Sequence, residues 1–437
     1  MSFQTRYEEL SKKLAAWMRE LGIKIPGLPD PEGARQRDNG ENGSAVTTIP
    51  VGALPRWQEM EARLSELPAQ TSEILFPTPL DGGSPLFAKR EKELEILEAS
   101  FRRWQEGRAQ MIAVVGSDGC GRTSLLNRFQ TEIAGSAPVT AFTLDRRVGT
   151  ERELAERIGS PFEPTEACTS TDDLINLLSR QERQVLIVDD AQYLMLRTPQ
   201  TLGVMENFVS LLLATGDRFL WVLSFTIQSW RRLDQLYGLS RYCTDVVTLP
   251  CFDKDAALEA LGMRLEATGL ALAYEGENPA DLDPASSGPD GTGKDPGKEK
   301  EESLADCLLT GLYNLSRGNM GAALYYWHAF TAYDPDKKVL LLLPMGEIDY
   351  SAVKKLDLDL LFSLGELLVH GPLTVREHAC IFQRGLTQTR HHLEFLTHQR
   401  IVEKSGSDGD GREAVYAVDP VFYIPLASVL ESAHILY

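Results

Sequence analysis

The chain has 437 residues, which is enough for two or three domains with separate hydrophobic cores. Its hydrophobic fraction of 43% is that of a globular protein, and no apolar run approaches the roughly 20 residues that a membrane-spanning helix needs, so we expect a cytoplasmic protein without a membrane span. The formal net charge of −19 weakens non-specific binding to nucleic acid phosphates, although it leaves room for a local basic patch. Six cysteines without CxxC spacing argue against a zinc site and against a disulfide framework.

The N-terminal section, residues 1–75, is predicted to hold helices and a flexible linker. Apolar residues at helical spacing predict a helix over 3–21 that either docks on the main body or binds a partner. Residues 22–54 are rich in Pro, Gly, Asn and Asp, which is typical of a linker. A second helix is expected to begin near Pro55 and to bury Trp57, Met60, Leu64 and Leu67.

Strand-like and helix-like segments alternate over residues 76–273. The predicted strands are Met111–Val115, Val139–Leu144, Val185–Val188, Phe219–Ser224 and Val246–Leu249. The predicted helices are Glu91–Trp104, Thr123–Ile133, Thr171–Ser179 and one around Thr201–Ala214. Such alternation predicts a parallel sheet flanked by helices.

Three further sections follow the central one. Residues 274–303 are acidic and rich in Gly and Pro, which predicts a disordered insertion. Residues 304–354 are expected to form a helical lid and connector. Residues 355–437 are predicted to form a winged-helix domain of three short helices and a hairpin, with Thr374 as the N-cap of the second helix and a wing at Gly406–Gly411.

A glycine-rich loop between a buried strand and a helix is the strongest functional signal. Its three glycines let successive backbone N–H groups point at phosphate oxygens, and the following helix presents the positive end of its dipole to the same anion. This context indicates a Walker A loop, in which the Thr123 hydroxyl is placed to ligate Mg²⁺. The predicted nucleotide-binding residues of the loop are Gly116, Ser117, Asp118, Gly119, Cys120, Gly121, Arg122, Thr123 and Ser124.

One position of this loop departs from the motif. Arg122 stands where the motif has Lys, and the longer, planar guanidinium is not interchangeable with a compact ammonium. We therefore expect nucleotide binding to survive and transition-state stabilisation to fall. Cys120 is expected to fill a small-residue position, with a redox brake on nucleotide binding as the alternative.

A second motif consists of the apolar strand Val185–Val188 followed by two acids. Asp189 is predicted to hold Mg²⁺ opposite Thr123, as in a Walker B strand. Asp190 follows where a glutamate usually polarises the attacking water, and its side chain is one methylene shorter. Because a general base must reach the proton that it takes, this difference predicts slow hydrolysis.

These motifs and their neighbours resemble those of AAA+ ATPases of the origin-recognition-like and STAND-like type. Leu86–Leu94 resembles the GRxxEL entry segment of these proteins, which packs near the adenine. Asp189–Gln192 resembles their DE-A-Q/H box, which transposition-regulator ATPases share. The resemblance covers roughly residues 85–330 and implies an α/β P-loop NTPase fold with a helical lid, with ATP and Mg²⁺ as cofactors.

The resemblance also implies roles for residues beyond the loop. Ser224 or Thr226, on the sensor strand, would sense the γ-phosphate. Arg241 lies where these ATPases often supply an arginine finger to a neighbouring subunit, which would make the chain a homo-oligomer; a solvated surface arginine is the alternative. The lid segment beginning at Gly318 resembles GN-x-R-x-A-L, but Gly321 occupies the arginine position, and the nearby Arg317 is a candidate substitute.

The departures at Arg122, Asp190 and Gly321 all weaken catalysis, so the sequence predicts an ATP- or ADP-bound switch with at most weak ATPase activity that acts on a protein partner. The first alternative is a DNA-associated regulator or loader that uses the winged helix. The second is a degenerate scaffold that binds no nucleotide. Protein docking is favoured over DNA binding because acidic residues offset Arg390 and the histidines beside it.

Overall fold

The structure is a computed structural model that describes residues 48–50, 54–55, 57–164, 167–198, 201–274, 304–406 and 413–436. The predicted helix over 3–21, nearly all of the predicted linker and the predicted insertion from residue 275 onward lie outside these residues. None of the helices described is both long and apolar enough to cross a bilayer.

The described strands are, in chain order, β1 Thr48–Pro50, β2 Met111–Gly116, β3 Val139–Thr143, β4 Gln184–Asp189, β5 Phe219–Thr226, β6 Asp245–Leu249, β7 Ala271–Tyr274, β8 Thr331–Asp334, β9 Val339–Leu342, β10 Glu347–Asp349, β11 Leu373–Thr374, β12 Val402–Ser405 and β13 Val415–Val418. The described α-helices are α1 Trp57–Glu66, α2 Ala69–Leu75, α3 Glu91–Gln105, α4 Arg122–Glu132, α5 Glu151–Gly159, α6 Thr171–Ser179, α7 Leu202–Thr215, α8 Ile227–Tyr237, α9 Lys254–Thr268, α10 Leu304–Ser316, α11 Met320–Ala329, α12 Ser351–Lys354, α13 Leu358–His370, α14 Val375–Phe382, α15 Leu386–His398 and α16 Tyr423–Ser432.

Five parallel strands form the central sheet in the order β3-β4-β5-β2-β6. All residues of β2, β4 and β5 are buried, as expected when helices cover both faces of a parallel sheet. The five strands are those predicted from the apolar runs, to within two residues at each end. The order brings the carboxyl ends of β2, β4 and β5 side by side, where the predicted site residues lie.

Three helices within residues 76–273 were not predicted: α5, α8 and α9. The first begins with a capping box, in which Thr150 accepts a hydrogen bond from the Glu153 amide and the Glu153 side chain accepts from the Thr150 amide. The second begins at the end of β5, where Thr226 is the N-cap. Thr226 is therefore bonded to Ser229 and serves to start a helix.

The section predicted to form the lid packs against a helix that precedes it in the chain. Helix α9 packs against α10, and β7 pairs with β9 in a small sheet of order β7-β9-β8. Tyr274 is the last residue of β7, so a predicted insertion beginning at 274 starts one residue too early. We place the border between the central part and the lid near Pro250, just after β6.

The C-terminal part contains the three expected helices, α13, α14 and α15, and Thr374 caps the second of them as predicted. Its sheet has three strands in the order β11-β13-β12 instead of the two expected. A further helix that was not predicted, α16, follows the sheet. The tip of the predicted wing, 407–412, lies outside the described residues, and the assignment of a winged helix stays a prediction.

This C-terminal part is docked on the central domain by polar contacts. Arg147, which follows β3, donates to the carbonyl oxygens of His370 at 2.8 Å and Pro372 at 3.0 Å. The Ser229 hydroxyl on α8 donates to the Val369 carbonyl. Because each buried donor of this kind needs an acceptor, the contacts favour one relative placement of the two parts.

The N-terminal segment connects all the other parts. Strand β1 pairs in parallel with β10 beyond the lid. Helix α1 buries Met60 and Leu64 as predicted, and Leu67, directly after this helix, is buried as well. The Trp57 side chain, also predicted to be buried, lies outside the described residues. Farther along, the Leu80 amide donates to the Ser124 hydroxyl at 2.9 Å, so the segment reaches the helix that follows the glycine-rich loop.

Candidate nucleotide-binding site

The glycine-rich loop joins the end of β2 to the start of α4. Gly119 has φ 75° and Gly121 has φ 96°, which is the left-handed region where only glycine is unstrained. The loop therefore curls tightly before α4 begins at Arg122, as a phosphate-binding loop requires. The amides of this curl and of the first turn of α4 are the groups that can surround an anion.

Thr123 and Asp189 meet beside this loop. The Thr123 hydroxyl donates to Asp189 Oδ2 at 2.6 Å, although the two residues lie on different elements. A hydroxyl and a carboxylate are the hard oxygen ligands that Mg²⁺ takes from proteins, together with waters and substrate phosphates, so the donor set fits this ion. Among the described residues no group of three or more His, Cys, Asp or Glu could hold a metal ion.

Ser224 fixes the orientation of Asp189. Strand β5 lies between β2 and β4, and the fully buried Ser224 hydroxyl donates to Asp189 Oδ1. The Ser224 hydroxyl oxygen in turn accepts the Asp190 amide at 2.9 Å. Ser224 therefore positions Asp189 and the start of the residue that follows it, and its predicted contact with the γ-phosphate stays a prediction.

The Arg122 side chain is folded against the loop. Its Nη1 donates to the carbonyl oxygens of Gly116 at 2.7 Å and Ser117 at 3.1 Å, and its Nη2 lies 3.2 Å from Asp190 Oδ1. Only 7% of its surface is exposed, and its Nε finds no partner among the described residues. The guanidinium thus holds the loop together. The ammonium of a lysine, on a shorter side chain, could not bond all three acceptors at once.

The Asp190 carboxylate accepts hydrogen bonds from protein side chains. Besides Arg122, the Gln192 side chain donates to its Oδ1 at 2.8 Å, and the backbone of Asp190 has φ 54°. Burial, followed by the negative charge of Asp189, raises the pKa of Asp190, and Arg122 opposes this rise. Both donors bond the same oxygen, Oδ1, so the two predicted catalytic residues, Arg122 and Asp190, are in direct contact.

The lid touches the loop through backbone groups. The Gly321 amide, in the first turn of α11, donates to the Gly119 carbonyl at 2.9 Å. Asn319 caps the same helix and donates from its amide nitrogen to the Asp118 carbonyl at 2.7 Å. Arg317, the candidate substitute for the missing lid arginine, is exposed and does not line the cavity described next.

A cavity of about 460 Å³ opens over the loop, within the range usual for nucleotide-sized ligands. Its walls come from four parts of the chain: the loop with the start of α4, the segment before α3, the lid helices α9 and α11, and the C-terminal part. Tyr423, at the start of α16, belongs to the last of these walls, and its hydroxyl donates to Gln228 Oε1 at 2.5 Å. Residues from distant sequence positions thus share one site.

Cys120 and Arg241 lie apart from the polar centre. The Cys120 thiol is 2% exposed and fills space behind the loop, where a Cβ added to Gly116 would come within 2.4 Å of its sulfur. Burial raises its pKa to about 11, which disfavours the reactive thiolate. Arg241 is exposed on the 3-10 turn Leu239–Arg241 and does not line the cavity, so it can act on a nucleotide only in another copy of the chain.

Four residues of the site were not predicted from the sequence. Tyr423 and Gln228 come from helices that the sequence reasoning missed, and Asn319 was noted only as part of the lid motif. The sequence does mark Arg264, because it continues the helical spacing of Ala257, Ala260 and Leu261 on the buried face of α9, where an arginine is unexpected.

Residues 105–233 match the family model of an AAA domain. This segment contains the loop, β4 and the acids that follow it, so this part of the chain is an AAA domain, and the prediction of an α/β P-loop NTPase fold is confirmed. A search of curated proteins finds no match.

Several solved structures show weak overall likeness to the chain. The Orc1 protein of Aeropyrum pernix in complex with DNA is 15% identical, with 82% of this chain and 97% of that chain covered at a TM-score of 0.41. Cdc6p from Pyrobaculum aerophilum is 15% identical, with 82% and 98% covered at a TM-score of 0.42. Drosophila ORC bound to DNA is 13% identical, with 95% and 99% covered at a TM-score of 0.41.

Proposed function

We propose that this protein is an ATP- and Mg²⁺-binding switch of the AAA+ kind, with slow or weak hydrolysis, whose nucleotide state controls its contact with a protein partner. The observation that carries the proposal is the meeting of Thr123 and Asp189 at 2.6 Å beside a curled glycine loop, inside a cavity walled by the lid and the C-terminal part.

The nucleotide would bind with its phosphates against the loop. The amides from Ser117 to Ser124 supply the anion-binding groups, and Thr123 with Asp189 would hold Mg²⁺. When bound, Mg²⁺ would neutralise phosphate charge between these two ligands. The residues themselves orient the triphosphate along the first turn of α4.

Slow turnover follows from the contacts of the catalytic candidates. Asp190 accepts from Arg122 and Gln192 at Oδ1, so these bonds fix the orientation of the carboxylate and leave only Oδ2 to accept a proton from water. Gly321 brings no positive charge to the phosphates from the lid. Arg241 would add charge only in an assembly of several copies, which makes hydrolysis depend on oligomerisation in this proposal.

We infer that the carbonyl groups of the loop couple nucleotide binding to the contact with a partner. Asn319 and Gly321 of the lid bond to consecutive loop carbonyls, and Tyr423 of the C-terminal part lines the same cavity. A change in the loop on nucleotide binding therefore alters contacts with two other parts of the chain at once.

The contacts of the basic C-terminal residues favour a protein partner over DNA. Arg384 pairs with Asp359 at 3.1 Å, and Lys404 pairs with Glu394 at 2.9 Å. Arg400 donates to the Leu54 carbonyl. These cations are engaged inside the molecule, and charges used in this way contribute little to phosphate binding.

The test is direct titration of the full chain with ATP and ADP, with and without Mg²⁺, by calorimetry. We expect Mg²⁺-dependent binding of ATP, and we expect Asp189→Ala to lose the Mg²⁺-dependent part. Absence of binding in both the wild type and Arg122→Lys would overturn the proposal and favour a scaffold without nucleotide. Capture of partners in the presence of ATP and of ADP then tests the switch, and partner binding that is equal in both states contradicts it.

A further inference from the structure

Arg264 is a buried cation without an acidic partner. Only 4% of its surface is exposed, and among the described residues its guanidinium donates one hydrogen bond, to the Ile74 carbonyl. No carboxylate of the described residues lies within 4.0 Å of it. Burial alone lowers its pKa to about 10, with no neighbouring charge acting on it. Burying a charge without a partner costs free energy, and a bound ligand that accepts its hydrogen bonds would offset this cost.

The other deeply buried arginines of the described chain differ in this respect. Arg90 lies 3.0 Å from Glu93, Arg122 lies 3.2 Å from Asp190, and Arg147 lies 3.4 Å from Glu377. Each of these cations is neutralised within the fold. Arg264 is thus the exception among them, and it is also part of the cavity wall.

The position of Arg264 along α9 separates it from the phosphate end of the cavity. The helix begins just after Phe252, which lies under the Arg90 guanidinium beside the loop. At a rise of about 1.5 Å per residue, Arg264 lies about 15 Å along the helix from Lys254. Its bond to Ile74 places it next to the segment Pro77–Leu80, which lines the same cavity. Arg264 therefore lies at the end where the base of a nucleotide would bind when its phosphates occupy the loop.

We propose that Arg264 binds the base of the nucleotide by donating hydrogen bonds to acceptor atoms of a purine ring. This inference rests on the proposed nucleotide site. A guanidinium only donates, and N7 is an acceptor that adenine and guanine share. In this proposal Arg264 contacts the base, and the loop contacts the phosphates. The role therefore differs from that expected of an arginine at position 321, which would contact the phosphates.

The experiment compares ATP with inorganic tripolyphosphate, which has the phosphates without the base. In Arg264→Met we expect the Kd of ATP to rise about 10- to 100-fold, as for loss of a charge-assisted hydrogen bond, while the Kd of tripolyphosphate stays unchanged. An equal rise for both ligands assigns Arg264 to the phosphates and overturns the proposal. No rise for either ligand overturns it as well.

Two controls separate ligand binding from folding and from net charge. Arg264→Met removes an uncompensated charge and keeps an apolar stem of similar length, so we expect the Tm without ligand to be unchanged or higher. A lower Tm with unaltered ATP affinity would show a purely structural role. Lys254→Met removes a charge from the same helix at an exposed position outside the cavity wall, and it should leave the Kd of ATP unchanged.

The two proposals fail in different ways. Wild-type protein that binds neither ATP nor tripolyphosphate contradicts the nucleotide site itself. Wild-type protein that binds both, with Arg264→Met indistinguishable from it, contradicts only the role of Arg264.

Discussion

The amide of Gly321 donates to the carbonyl of Gly119 at 2.9 Å, so the lid helix and the phosphate-binding loop touch backbone to backbone. A Cβ built on Gly321 would lie 2.9 Å from the Gly119 Cα, closer than real Cβ atoms come. The glycine at this position therefore has a structural reason. A glycine carries no positive charge, and its lack of a Cβ permits the direct contact between the lid and the loop.

This contact makes Gly321→Ala a sensitive change. We expect the added methyl group to push α11 off the loop, with a loss of about 1–3 kcal/mol in the free energy of unfolding and weaker ATP binding. Chemical denaturation and calorimetry measure the two effects. The matched control is Gly203→Ala in α7, where a Cβ meets nothing within 4 Å and helix propensity favours alanine. Equal effects of the two variants would contradict the close approach.

The Thr123–Asp189 pair predicts a metal-dependent defect. In Thr123→Val and in Asp189→Asn we expect ATP affinity to fall about 10-fold or more in Mg²⁺, because each change removes an oxygen ligand or its charge. In EDTA the variants and the wild type should bind ATP equally. Calorimetry in both buffers checks this, and a defect of the same size in EDTA would mean that the residues only hold the loop. Ser224→Ala, which removes a positioning contact, should show a smaller defect of the same kind.

The contacts of Arg122 predict a gain of activity. Arg122→Lys should release Asp190, since an ammonium on a shorter stem cannot bond the loop carbonyls and the carboxylate together. We expect kcat for ATP hydrolysis to rise, on the order of 10-fold, while ATP binding is kept. Phosphate release assays measure this. Arg122→Met, which also frees Asp190 but removes the charge, should not show the gain, and equal rates in all three proteins would contradict the inhibitory pairing.

Asp419 predicts a pH-dependent contribution to stability. Burial, followed by the negative charge of Glu403, raises the pKa of its carboxyl to about 7 from an ordinary value of 3.8. Between these two values the folded state holds a proton that the unfolded state has released, so stability falls as the pH rises through this window, by up to about 4 kcal/mol, and levels off above it. Asp419→Asn should remove this fall while keeping the acceptor for the Val421 amide.

The measurement for Asp419 is the difference in the free energy of unfolding between wild type and variant from pH 4 to pH 8. Taking the difference removes the opposite contribution of His378, whose pKa burial lowers to about 4 and which therefore stabilises the fold as the pH rises. A difference that does not change from pH 4 to pH 8 would mean that the pKa of Asp419 is the same in the folded and the unfolded protein.

Local sequence patterns were enough for the central sheet and for the loop. The strands from β2 to β6 are short apolar runs. Runs of this kind are typical of the buried strands of a parallel sheet that helices cover on both faces. The loop was recognisable because three glycines between a strand and a helix allow one kind of backbone curl. Asp189 followed from its place at the end of β4. These features depend on residues a few positions apart, which is why one sequence sufficed to predict them.

What the sequence could not determine depends on contacts between distant residues. The pairing of Arg122 with Asp190 spans 68 positions, and that of Asn319 with Asp118 spans 201. The same holds for Arg264 and Tyr423, which belong to the site only because the lid and the C-terminal part fold over the loop. The residue types and periodicities determined which groups are present. Only the tertiary structure decided which of them meet, because the free energy of each contact depends on burial and on partners that no local pattern specifies.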